Sequence, residues 1–215
     1  MLNRLRPTLA LSALACGLFL APTLAPAQVT GLDKQLSRLD LSVSAMGEFT
    51  KGVSGTTIVN AAPITLTQNA TTTLGALVTL RYTVSPLIGV EGNYSYARFS
   101  ENYSTIQGVQ TKASEYTVGY VAHTPSFLGV EPFLDAGLGT IAFNPTARGG
   151  QGLYTQARAA YYYGLGIDDT LSTHFGVRAA VRQLIYLAPD YGQNYLTIHQ
   201  RTFSTEPTIG LFVRF

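Results

Sequence analysis

The sequence predicts an all-β chain: a transmembrane, antiparallel, up-and-down β-barrel of eight strands. Three observations lead there. Apolar and polar residues alternate with the strand period of two in eight segments, each close to the roughly ten residues a tilted strand needs to cross a bilayer. The connections between them alternate between long and short. Charged residues make up only 12% of the chain, about half the share usual in soluble domains, yet no segment after the leader is apolar for long enough to cross as a helix.

The chain opens with a targeting pattern. Arg4 and Arg6 form a basic start, Leu9 to Ala21 is apolar, and Ala25-Pro26-Ala27 is a small-x-small cleavage site. Residues 1–27 are therefore read as a secretory signal peptide, with Gln28 as the mature start. The apolar run is shorter than the roughly 20 residues of a spanning helix. Lipoprotein processing at Cys16 is disfavoured, because Cys16 lies inside the apolar stretch and no Leu stands three positions before it. With the leader gone, 12 basic residues face 12 acidic ones. That neutrality argues against a nucleic-acid partner, which requires a clustered basic face. The single Cys leaves with the leader, so disulfides, a thiolate nucleophile and Cys-ligated metal are excluded. Residues 28–38 form a short periplasmic N-terminal extension, and 39–215 the barrel.

The eight segments follow in order. Leu39 to Phe49 sets Leu41, Val43, Ala45 and Phe49 against Asp40, Ser42, Ser44 and Glu48. Thr73 to Val84 sets Leu74, Val78 and Leu80 against Thr79 and Arg81. Ile88 to Phe99 sets Val90, Tyr94 and Tyr96 against Glu91, Asn93 and Ser95. Ala113 to His123 sets Tyr116, Val118 and Tyr120 against Glu115 and Thr117. Glu131 to Ala142 sets Leu134, Ala136 and Leu138 against Asp135, Gly137 and Gly139. Tyr154 to Ile167 sets Tyr161, Tyr163 and Leu165 against Arg158, Gly164 and Gly166. Thr173 to Tyr186 sets Phe175, Val177 and Val181 against Gly176, Arg178 and Arg182. The last runs to the C-terminus, with Ile209, Leu211, Val213 and Phe215 opposite Thr208, Gly210 and Arg214.

Long connections are expected near 50–72, 100–112, 143–153 and 187–200, and short ones near 85–87, 124–130 and 168–172. Short periplasmic turns and long external loops are the habit of outer-membrane barrels, and an even strand count leaves both termini periplasmic. Phe49, Tyr82, Tyr94, Tyr96, Tyr116, Tyr186 and Phe215 are assigned to aromatic girdles at the membrane interfaces. The apolar alternation Ile209, Leu211, Val213, Phe215 is read as the signal addressed to barrel-assembly machinery, with periplasmic chaperones and outer-membrane lipid, including lipopolysaccharide, as the other expected partners.

These strands resemble the OmpA/OmpX-like family of small eight-stranded outer-membrane barrels. The resemblance is carried by Pro132-Phe133-Leu134-Asp135-Ala136-Gly137-Leu138-Gly139, Tyr163-Gly164-Leu165-Gly166-Ile167, Phe175-Gly176-Val177-Arg178 and the strand ending in Phe215. It implies the outer membrane of a Gram-negative bacterium as the destination. No segment is seen that would supply the peptidoglycan-binding module of full-length OmpA.

The inward faces carry Glu48, Glu91, Glu115, Asp135 and Glu206 with Arg81, Arg158, Arg178, Arg182 and Arg214, besides Asp40. An eight-stranded barrel is just wide enough for side chains to fill it, so these charges are expected to pair in a plugged lumen. Arg81, Arg178, Arg182 and Arg214 are expected to meet Glu48, Glu91, Glu115 and Asp135. A narrow or gated channel is the competing reading, and a lipid-A-modifying enzyme a third. His123 near Ser126 and Glu131, His174, and His199 near Ser204 and Glu206 form no catalytic constellation with the required spacing. No metal site and no cofactor is expected. Arg148-Gly149-Gly150-Gln151-Gly152 lacks the Lys and helix of a phosphate loop. The expected role is structural, with the long, nearly uncharged loop from Lys51 to Ala70 available for a surface ligand.

Overall fold

The computed structural model describes residues 29–59, 62–105, 108–126 and 129–215. The expected signal peptide lies outside them. The chain divides into two units at Gln35. The described residues of the first belong to a short helix, α1 (Val29–Leu36), inside the segment read only as an extension.

The second unit contains ten strands: β1 (Leu39–Thr50), β2 (Val53–Val59), β3 (Ala62–Ala70), β4 (Thr73–Ser85), β5 (Ile88–Tyr103), β6 (Val109–His123), β7 (Val130–Pro145), β8 (Gln156–Ser172), β9 (Phe175–Leu187) and β10 (Arg201–Arg214). Eight of them close on themselves in the cyclic order β1-β4-β5-β6-β7-β8-β9-β10, every neighbour antiparallel. Closure removes the free edges that an open sheet would expose. The β1–β10 register skips Gly47 and Glu48, opposite Glu206 and Pro207; a proline cannot donate to the ladder.

Alternation sorts the side chains. Val43, Leu80, Val118, Leu138, Leu165 and Leu211 point outward and are exposed, whereas Ser44, Arg81, Thr117, Arg178 and Phe212 point inward and are buried. The apolar outside and charged inside are the reverse of a water-soluble protein, and are what a barrel bathed in hydrocarbon requires.

The tight connections at one end are 86–87 and 173–174, with 124–129 a little longer; at the other end the strands are joined through 51–72, 104–108, 146–155 and 188–200. Three expectations change. The 50–72 loop is a β-hairpin, β2–β3, whose second strand pairs through Gln68, Asn69 and Ala70 with the top of β5. The loop expected at 100–112 is mostly strand, since β5 and β6 run on past the outward Arg98–Lys112 pair. The turn expected at 168–172 lies at 173–174, because β8 continues through Asp168 and Asp169, paired with Arg178 and Val177.

Candidate functional site: the closed lumen

The interior has two storeys. At the short-turn end, two guanidinium groups share Asp168. Arg178 donates from Nε and Nη2 to its two oxygens at 2.7 and 2.8 Å, and Arg81 donates from Nη1 at 3.3 Å. Arg178 also reaches Asp40 at 3.1 Å, and Arg81 reaches Glu91 at 2.8 Å. The Phe133 ring lies against both cations, 4.4 Å from the Arg81 guanidinium carbon and 5.6 Å from that of Arg178. Such a network repays the desolvation of its charges only when nearly every donor is used. Here the two oxygens of Asp168 accept from both arginines, and Glu91 Oε1 accepts from Tyr162 Oη at 2.8 Å and Asn93 Nδ2 at 3.1 Å.

One level up, Arg182 holds two acids, Glu115 at 2.8 Å and Glu206 at 2.5 Å. Ser95 and Thr117 donate to Glu115 at 2.8 and 3.0 Å. The Tyr162 ring fits here because β6 and β7 present glycine: a Cβ at Gly137 would fall 2.5 Å from that ring. Asp135 Oδ1 and Arg182 Nη1 have no partner among the described residues and line a cavity of about 10 Å³.

The upper storey is mostly apolar, a departure from the polar, salt-bridged lumen expected. Phe99, Val109, Ile141, Phe143, Leu184 and Tyr186 line the wall and are buried. The hairpin inserts Leu66, and the 188–200 loop inserts Tyr191, Leu196 and Ile198, all within one buried cluster. The two inserts grip each other. Thr57 donates to the Asn194 carbonyl at 3.1 Å, and Gly55 lies so close to Ile198 that a Cβ would sit 2.7 Å from its carbonyl oxygen. Tyr186, expected in the outer girdle, shares the parity of Arg178 and Arg182 and points inward, its ring tilted against that of Phe143 at 5.4 Å between centroids.

Other expected site residues separate. Arg158 leaves the interior network and pairs with Asp190 of the 188–200 loop at 2.9 Å. Asp190 is partly buried, which favours its neutral form, but hydrogen bonds from Gln156 and Gly192, the charge of Arg158 and a bond from Thr197 hold its carboxyl below the usual range. Arg214 forms no ion pair among the described residues; it sits at the end of β10 with its guanidinium 5.7 Å from the Phe212 ring. Glu48 and Asp135 are buried, and among the described residues no base is bonded to them. With Arg158 and Arg214 displaced, acids outnumber bases in the interior. Asp168, read as a turn residue, is the junction of the lower network; the inward parity of Arg158, Gly164 and Gly166 reaches it directly. Ile209, Leu211, Val213 and Phe215 are exposed on the outer face.

His123 ends β6, facing inward with Nε2 3.3 Å from Arg81 Nη1. His174 lies in the 173–174 turn, and His199 precedes β10 in a left-handed conformation with φ 56°. No grouping of His, Cys, Asp and Glu suited to a metal occurs among the described residues.

Glu101 ties the hairpin to the barrel. It lies three residues beyond Arg98, above the spanning part of β5, and accepts from Gln68 Nε2 and Tyr103 Oη at 2.8 Å each. Burial pushes its carboxyl up from the ordinary 4.5 to about 7, outweighing the hydrogen bonds from Tyr103, Tyr191 and Gln68. Glu48 and Tyr186 lie within electrostatic reach. A folded-state value above the unfolded one means that the folded, docked state holds the extra proton. Docking is therefore strongest below about 4.5 and weakens as pH rises through about 7. Hydrogen exchange in 62–70, corrected for its intrinsic pH dependence, should show protection falling across that window. Glu101→Gln should flatten the profile, and an unchanged profile would separate Glu101 from docking.

A closed antiparallel barrel with an apolar exterior and a charged interior defines a membrane-spanning β-barrel protein. The chain belongs to the outer membrane protein beta-barrel domain family, whose profile matches residues 12–206. No curated protein sequence matches it. Among solved structures it is similar to the outer membrane protein OprG from Pseudomonas aeruginosa, with a TM-score of 0.61 and 15% identity over 82% of this chain and 95% of that one. Neisserial surface protein A gives 0.53 and 13%, over 81% of this chain and 97% of that one. AlkL, determined in lipid bilayers by solid-state NMR, gives 0.51 and 16%, over 82% and 90%. At these identities the likeness is one of fold.

Proposed function

We propose that this protein is a closed, non-enzymatic barrel of a Gram-negative outer membrane, with its long-loop end outward and the β2–β3 hairpin presented for contacts at the cell surface. The observation that carries the reading is the doubly sealed interior. The Arg81–Asp168–Arg178 layer crosses the lumen at one level, and the hairpin and 188–200 loop fill it at another. The Ser95 hydroxyl donates to Glu115 at 2.8 Å, but both are buried inside the barrel and Glu115 is held by Arg182, so that pair is not presented to lipid A for acyl transfer. What remains outward is a folded hairpin bearing Thr56, Ile58 and Thr65, all exposed.

Refolded protein in planar bilayers should give no single-channel steps, and lipid A from expressing cells should keep its mass. Steady steps would overturn the sealed reading. The acid excess inside makes any such current cation-selective. A changed lipid A mass would instead make the protein an enzyme.

A further inference from the structure

We propose that a groove at the long-loop rim, built around Lys51, binds the phosphate of a membrane lipid headgroup. The site rests on the outward orientation given above. The groove encloses about 360 Å³ between Phe49, Lys51, Thr72, Gln183, Phe203 and Thr205. It straddles β1, β10 and β9 at the upper limit of the apolar outer face, where Phe49 and Phe203 are exposed. The backbone of Lys51 is fixed on both sides: its N–H donates to the Phe203 carbonyl at 2.8 Å, and its carbonyl accepts from Thr202 at 2.6 Å. The side chain is left to solvent.

Charge distribution supplies an independent reason. Among the described residues, the exposed charges at the long-loop end are Lys51, Arg98, Lys112, Arg148 and Arg201, all cationic. The acids there are Glu101, which is buried, and Asp190, which is paired with Arg158. The short-turn end mixes signs, with Asp169 exposed. A cationic rim directly above an apolar wall matches an amphiphile whose anionic group sits at the top of its chains. Lysine is a point-charge phosphate ligand, and Arg201 lies on the same face of β10 as Phe203, two residues away. Gln183, Thr205 and Thr72 add neutral hydrogen-bonding groups. A soluble anion would have no use for the two phenylalanine rings, which points to the lipid as the source.

The test uses the full chain refolded into phosphatidylcholine nanodiscs doped with diphosphoryl lipid A, with retained lipid counted by native mass spectrometry. Lys51→Gln and Phe203→Ala should each weaken retention, the former by about tenfold. Lys112→Gln, an equal loss of charge across the rim, should leave it unchanged. Heat-modifiable migration on gels verifies that each variant folds. Equal weakening by Lys112→Gln would reduce the effect to general surface charge and overturn the site. So would undiminished retention by Lys51→Gln, or displacement of the lipid by excess inorganic phosphate. A heparin fragment binding Lys51 as tightly as the lipid would make this a polyanion surface and also overturn it. Loss of the site with bilayers still silent would retire the groove and leave the sealed barrel standing.

Discussion

Arg182→Met is expected to destabilise the barrel by about 3–5 kcal/mol, the range found when one member of a buried ion pair is removed. Among the described residues Arg182 is the only base bonded to Glu115 and Glu206, and all three side chains are at most 2% exposed. Glu48, buried and without a bonded base, lies within electrostatic reach of both acids. Removing the guanidinium leaves a column of buried acids with no cation among them. Most of the loss should be recovered by adding Glu115→Gln and Glu206→Gln, which remove the stranded charges. Arg214→Ala provides the contrast. Its side chain lies against the Phe212 ring with no ion pair among the described residues, and its loss should change stability by less than about 0.5 kcal/mol, as surface substitutions usually do. Urea unfolding in lipid vesicles measures all of these. A small effect of Arg182→Met would mean that water reaches the acids, and the sealed reading would fail with it.

Replacing the hairpin, residues 53–70, by a short turn is expected to leave the barrel closed to ions. The deletion removes Leu66 from the upper storey and uncovers Leu196 and Ile198, but it does not touch the Arg81–Asp168–Arg178 layer. That layer is held by two oxygens of Asp168 and three guanidinium nitrogens within 3.3 Å. Currents should appear only when the deletion is combined with Arg81→Ser and Arg178→Ser. The deleted protein should lose hydrogen-exchange protection at the tops of β5 and β6 while β8 and β9 keep theirs near the turn end. Steps from the deletion alone would show that the hairpin is the sole gate, and the lower layer would lose its role as a seal.

The barrel was legible because membrane strands write their geometry into parity. Leu41 against Ser42, or Val177 against Arg178, already says which side meets lipid. Parity also assigned Asp168 and Tyr186 to the inside, yet composition masked both. A pair of aspartates after an apolar run reads as a turn, and a tyrosine near a strand end reads as a girdle residue. In each case burial in the folded barrel, beside Arg178 for one and Phe143 for the other, prevails over the local tendency. The hairpin carried a weaker trace: Ile64, Leu66 and Gln68 alternate, but nothing nearby in the chain shows what Leu66 would pack against.

The sequence by itself determined the class of fold, the sidedness of nearly every strand and most of the charged residues facing inward, Asp168 and Glu101 excepted. Those follow from a period of two and the cost of placing a charge in hydrocarbon, both local properties. Only the tertiary structure decided which charges meet, that Arg158 and Arg214 leave the interior network, and that a hairpin from the first connection meets the last loop over the barrel. Thr57 and Asn194 are 137 positions apart. Contacts of that span depend on barrel closure and on the height of each residue along its strand, which no local pattern encodes.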